Sequence, residues 1–166
     1  MMVHWWKPLA LSAIRGVCYG TVIFTVMDSV GGLLYFIGPS MEPTVHENEI
    51  GLCEKVTSYQ NFQRGDIVIA LQPDEPTTQI CKRIMGLEGE QINNSKNPIN
   101  NTSGGKYFGG IVPRGHVWLE GDNKSSSRDS RHFGPVPLAL VHGRVFAKIY
   151  PFPEMTWFRR SPKPTT

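Results

Sequence analysis

A chain of 166 residues with 40% hydrophobic content can bury one modest core, which leaves room for a single catalytic domain and a short appendage but not for a second domain. Its formal charge of +3 is too small, and its Lys and Arg residues too scattered, for nucleic acid to be the main partner. Thirteen prolines and seventeen glycines along the chain suit many short strands joined by turns better than a helical bundle.

Residues 9–27 are apolar apart from Ser12, Arg15 and a few small or aromatic polar side chains, and no acid precedes Asp28. Residues 1–28 are therefore expected to form a targeting or membrane-anchor helix. A spanning helix needs roughly 20 apolar residues. Arg15 at mid-bilayer would cost about 2.5–3.5 kcal/mol, relieved if its side chain snorkels toward Lys7 and the Trp5-Trp6 pair. A cleaved secretory signal and an amphipathic targeting helix are the competing readings. Against cleavage, no small-x-small site stands before polar sequence, and apolar character resumes over 30–37. Because Lys7 and Arg15 lie at the start, the rest of the chain is expected across the membrane from its N-terminus.

Residues 29–153 read as a mainly β catalytic domain. Strands are expected over 33–37, 50–53, 67–71, 80–85, 117–120 and 141–150, separated by Gly, Pro, Asn and Asp. The stretch 93–110 is polar and glycine-rich and reads as a surface loop; its Asn101-Thr102-Ser103 sequon matters only on the secretory pathway. Residues 154–166 read as a tail whose basic cluster, Arg159-Arg160 through Lys163, is solvated. Cys18, Cys53 and Cys81 fit neither a zinc site nor a disulfide framework, and are expected as free thiols packed like small apolar residues.

Three clusters can carry chemistry. In Gly38-Pro39-Ser40-Met41-Glu42-Pro43-Thr44, two prolines fix the backbone on either side of one serine and present its hydroxyl. The N–H groups of Gly38 and Ser40 are candidates for stabilising an oxyanion. In Ile80-Cys81-Lys82-Arg83-Ile84-Met85, strand alternation puts Lys82 on one face with Ile80 and Ile84 while Arg83 points the other way. Moving a lysine pKa from about 10.4 to near 7 takes roughly 4–5 kcal/mol, within the reach of burial on such a face, and a neutral lysine can accept a serine proton. The third cluster, Gly121-Asp122-Asn123-Lys124-Ser125-Ser126-Ser127-Arg128-Asp129-Ser130-Arg131, gathers hydroxyls, carboxylates and guanidinium groups that can orient a lysine and brace a loop. Read apart, the three are an ordinary Pro-Ser loop, a snorkelling lysine and a polar turn.

In this order the clusters resemble the type I signal peptidase family, whose pattern includes a Ser-Met-x-Pro-Thr loop, a Lys-Arg strand and a Gly-Asp-Asn…Ser-x-Asp-Ser-Arg box; Arg64-Gly65-Asp66-Ile67-Val68 lies between the first two. The resemblance implies a signal-peptidase-like antiparallel β catalytic domain with one N-terminal helix, a Ser/Lys dyad, and neither cofactor nor metal. It assigns Ser40 as nucleophile, Lys82 as general base and Ser127 as the hydroxyl that orients the lysine amine, with Asp129 and Arg131 as a structural ion pair. Some relatives carry an oxyanion-binding serine where this chain has Gly38, so any donor here is backbone.

Ile80-Cys81-Lys82-Arg83, His116-Val117-Trp118-Leu119-Glu120-Gly121-Asp122-Asn123 and Phe133-Gly134-Pro135-Val136-Pro137 look most like the mitochondrial inner membrane branch of the family, and like its subunit 1 type. Subunit 2 types typically have Asp-Ser-Asn at Asp129-Ser130-Arg131. The likeness implies a heterodimer with subunit 2 at the mitochondrial inner membrane, an active site in the intermembrane space, and precursor proteins with sorting peptides as substrates. Other readings remain: a Ser40–His–Asp triad using His116 or His132, a catalytically silent partner subunit, a secretory-type signal peptidase in another membrane, and a self-cleaving repressor. The last would need a helix-turn-helix, for which the residues before Ser40 offer neither length nor polarity.

Overall fold

The computed structural model describes residues 6–55, 57, 61–92 and 110–160, with the side chains of the first helix described over 12–25. The sequon loop, Trp5 and Lys163 lie outside the described residues. Helix α1 (Trp6–Val30) is followed by strands β1 (Gly31–Tyr35), β2 (Ile50–Glu54), β3 (Ile67–Gln72), β4 (Glu75–Gly86) and β5 (His116–Glu120), a short helix α2 (Ser130–Phe133), and strands β6 (Val136–Pro137), β7 (Val141–Tyr150) and β8 (Thr156–Trp157). The fold is thus mainly β with one long helix, as the sequence implied. Every pairing is antiparallel, in the order β1-β2-β7-β3-β4-β5-β6, with β8 on β7.

The structure departs from expectation at four points. β4 begins five residues earlier than the apolar run suggests, because Glu75–Gln79 extends the β3–β4 hairpin into solvent and carries no buried face. β8 lies inside the segment expected as a tail: it pairs with β7, and Phe158 N–H bonds Phe146 O at 2.8 Å. Arg160, though exposed, is not a free charge: it reaches Thr57, Glu54 and Asp66 at 3.0, 3.8 and 3.7 Å. The three cysteines are free; Cys53 is buried, Cys81 is partly buried, and Cys18 is exposed on α1.

Two apolar clusters flank the sheet. One joins Phe62, Val68, Ile84, Val117, Leu119, Val136 and Val141; the other joins Phe36, Met41, Val45, Ile67, Ile69 and Val145. Lys82 shares the buried face of β4 with Ile84, and Met41 and Val45 root the loop after β1 in the second cluster. The α1 side chains from 12 to 25 are all exposed. Among the described residues, no helix is long and apolar enough to cross a membrane.

Candidate active site

The loop between β1 and β2 turns sharply at Gly38, whose φ of 88° favours a residue without Cβ. A one-turn 3-10 segment, Pro39–Met41, then lifts Ser40 while Met41 points into the core. Ser40 arrives opposite Lys82. The two side chains lie 2.7 Å apart, Nζ to Oγ, although 42 residues separate them in sequence. Lys82 is 4% exposed. Burial pulls its pKa below the ordinary lysine value; the neighbouring Cys81 and Asp129 pull it upward without cancelling the shift, and Arg131 adds to the lowering.

The third cluster closes over this pair from β5. Asn123 N–H bonds the carbonyl of Ser40 at 3.1 Å. Gly121 is pressed between the serines: a Cβ there would stand 2.2 Å from Ser127 Oγ and 2.5 Å from Ser40 O. Ser127 Oγ donates to Asp129 Oδ2 at 2.7 Å, and no described hydrogen bond joins it to Lys82. Asp129, fully buried, also accepts from Gly121 N–H at 2.9 Å and from both Nε and Nη2 of Arg131, at 2.8 and 2.7 Å. Burial alone would raise the Asp129 pKa; the bonds from Arg131, Gly121 and Ser127 outweigh it, so the carboxylate is held below its ordinary range. Asp129 also caps α2, accepting Arg131 N–H at 3.2 Å.

Sequence reasoning missed a brace on the opposite side of β4. Arg83 makes a two-pronged pair with Asp122, Nε–Oδ1 2.8 Å and Nη2–Oδ2 2.6 Å, and donates to Gly65 O at 2.8 Å. Thr44 Oγ1 donates to Asp122 Oδ2 at 2.5 Å. The Ser40 loop, β4 and the Gly121 loop are thereby tied at one carboxylate. The signal was present, because Thr44, Arg83 and Asp122 all stand inside the quoted motifs, but no role had been attached to them. The histidines are elsewhere: His116 Nδ1 lies 2.9 Å from Arg114 O, and exposed His132 takes part in the capping of α2. Neither bonds Ser40.

Beside Ser40 and Lys82 opens a cavity of about 330 Å³, walled on one side by Leu34, Tyr35, Phe36 and Ile37 at the end of β1 and on the other by Gln79, Ile80 and Cys81 of β4. Its floor is Met41, Val45 and Ile69. Burial pushes the Cys81 thiol up to about 12, so it lines the cavity as a neutral apolar group.

A mainly antiparallel β domain that presents a serine hydroxyl to a buried lysine beside a peptide-sized cleft has the make-up of a serine peptidase, and that is the class of this enzyme. The chain belongs to the signal peptidase family, peptidase S26, whose model matches residues 10–102 and 94–150. It is 45% identical to "Mitochondrial inner membrane protease subunit 1" of Mus musculus over 145 residues, covering 87% of this chain and 84% of that one. It is 38% identical to "Mitochondrial inner membrane protease subunit 2" of Danio rerio over 147 residues, covering 85% and 75%. A solved signal peptidase I from Enterococcus faecalis V583 aligns with 50% of this chain and 95% of its own at 25% identity and a TM-score of 0.37.

Proposed function

We propose that this protein is a membrane-associated endopeptidase that removes sorting peptides from proteins delivered to the mitochondrial intermembrane space, with Ser40 as nucleophile and Lys82 as general base. The observation that carries the reading is the 2.7 Å approach of Ser40 Oγ to a lysine amine that burial drives toward its neutral form. The location and the pairing with a subunit 2 at the inner membrane are supported by the names of the relatives, with identity favouring the subunit 1 type. Residues 31–158 form the catalytic domain in this reading, and α1 associates it with lipid.

An extended substrate strand lies between residues 34–37 and 79–82, pairing with strand edges while alternate side chains enter the cavity. Ser40 O–H donates to neutral Lys82 Nζ; as the oxygen attacks the scissile carbonyl, its proton passes to Lys82. The N–H groups of Ser40 and Gly38 receive the developing oxyanion. Lys82 then protonates the departing amine, leaving an acyl-enzyme ester, and takes a proton from the water that hydrolyses it. Ser127, whose only hydroxyl proton is committed to Asp129, can meet the lysine amine only as an acceptor. Accepting one Nζ–H would leave the amine lone pair for Ser40, which is the orienting role assigned to it; Asp129 and Arg131 hold it there.

Replacing Ser40 or Lys82 by Ala is expected to reduce cleavage at least about 10³-fold, so that precursors accumulate uncut while the protein remains folded and membrane-associated. Blotting for precursor and mature forms in mitochondria carrying each variant reads the outcome. Wild-type cleavage by Lys82→Ala would remove the lysine from the mechanism.

A further inference from the structure

On the far side of the nucleophile loop lies a second buried charge pair that the proposed chemistry does not use. Lys148 of β7 and Glu49 are each 5% exposed, and Lys148 Nζ donates to Glu49 Oε1 at 2.9 Å. The other oxygen of that carboxylate accepts the His46 N–H at 2.8 Å. Glu49 therefore binds the returning leg of the Ser40 loop to β7. At the loop's stem, Phe36 N–H bonds Glu49 O at 3.0 Å and Asn48 N–H bonds Phe36 O at 2.9 Å. Lys148 also donates at 3.3 Å to Glu154, an exposed carboxylate in the 3-10 turn Phe152–Glu154.

Such a pair is a weak source of stability, because desolvation offsets most of the attraction and an apolar pair of similar volume does as well. Its effect is geometric: neither charge can leave the other uncompensated, so the separation of loop and strand is fixed. Apart from its own stem and the apolar seat of Met41 and Val45, the loop is tied by Ser40 O to Asn123 N–H and by Thr44 to Asp122, both on the Gly121 side. Apolar packing is non-directional, so without a polar tie on the β7 side the loop can shift on its apolar seat and change the Ser40–Lys82 distance. We propose that Lys148, acting through Glu49, is a positioning residue that fixes the return leg of the nucleophile loop and thereby sets Ser40 against Lys82, with Glu154 joining this brace to the C-terminal turn. The inference rests on the reading of Ser40 as nucleophile. Glu49 and Lys148 do not themselves line the peptide cavity, so the brace acts mainly on turnover; a displacement of about 1 Å suffices for a 10²-fold loss of rate.

The test is steady-state cleavage of a quenched fluorescent peptide spanning the cut site of a precursor that the wild-type protein processes, using the full chain in the membranes that carry it. Lys148→Met and the paired Glu49→Leu/Lys148→Met variant are expected to lose about 10- to 100-fold in kcat with KM within about threefold of wild type. Lys148→Arg, which keeps the charge, is expected to recover to within about fivefold. The paired variant is expected to keep its fold, since its buried charges are replaced together. Should it not fold, Glu49→Gln, which keeps the shape and the acceptor for His46, takes its place with the same outcomes. Ser40→Ala is run alongside: cleavage by that variant would fell the nucleophile reading. An inactive Ser40→Ala beside a folded paired variant with wild-type kcat, or one altered in KM only, overturns the brace alone.

Discussion

Lys82 is the residue on which sequence and structure agree most closely, and for a simple reason: in a strand, a lysine two residues from Ile80 and Ile84 shares their face. The same burial makes a pH prediction. A protonated amine cannot accept the Ser40 proton, so cleavage is expected to appear as pH rises through a Lys82 pKa lying below the ordinary 10.5, and kcat against pH should show that acidic limb. For stability, the unfolded chain holds the lysine proton up to about 10.4, whereas the folded chain releases it earlier. Between the two values the unfolded state binds more protons, so this group opposes folding at low and neutral pH and the opposition fades as pH approaches 10.4. Lys82→Met is therefore expected to be inactive yet to melt higher than wild type at pH 7, with the gap closing in alkaline buffer. A lower melting temperature at pH 7 would contradict the burial account. By contrast, nothing in the sequence points to Glu49 and Lys148 as a pair: 99 residues separate them, and each alone reads as a surface charge.

At the level of elements, alternation revealed the strands that have one buried face and missed those that do not. β7 matches its apolar run end to end, whereas the first half of β4 is polar and exposed, and β6 and β8 are two residues each. The three clusters were likewise legible as segments, but their docking was not, because it depends on backbone contacts that leave no periodic trace. Gly121 shows this most clearly. Gly-Asp-Asn reads as turn chemistry, yet the glycine is required by close approach, with Ser127 and Ser40 both within 2.5 Å of where a Cβ would sit. Neither neighbour can retreat freely: Ser127 is bound to Asp129, and the Ser40 carbonyl to Asn123 N–H. Gly121→Ala is expected to cost about 1–3 kcal/mol as an overpacked site. Because the displaced group carries Ser40, kcat should fall by more than the folded fraction does. Chemical denaturation together with activity per folded molecule separates the two effects, and a fall in activity that merely tracks unfolding would contradict the docking role.

Across the whole molecule, the chain divides energetically at Val30. Among the described residues, the apolar clusters draw on side chains from Leu34 onward and on none from α1, while Ile14, Val17, Val22, Ile23 and Phe24 project from the helix into the surroundings. Thr21 and Thr25 turn their hydroxyls back onto the carbonyls of Val17 and Thr21, each at 2.8 Å, which hides polar groups that would be costly in lipid. The helix nevertheless falls short of a self-sufficient span, since Arg15 and its small polar residues dilute the apolar run. These facts predict that lipid association and catalytic fold are separable. A chain beginning at Gly31 should keep the Ser40–Lys82 pair, melt within a few degrees of the full chain, and cleave a short soluble peptide at a comparable rate, because the described α1 side chains, 12 to 25, are all exposed. It should fail to float with liposomes of mitochondrial lipid composition, and it should process a membrane-tethered precursor at least about tenfold more slowly, having lost the concentrating effect of a shared surface. Flotation, thermal melting and the two cleavage assays on the same preparation decide the matter: a truncated chain that unfolds would show that α1 contributes to the fold, and one that still floats would move the lipid contact onto the β domain.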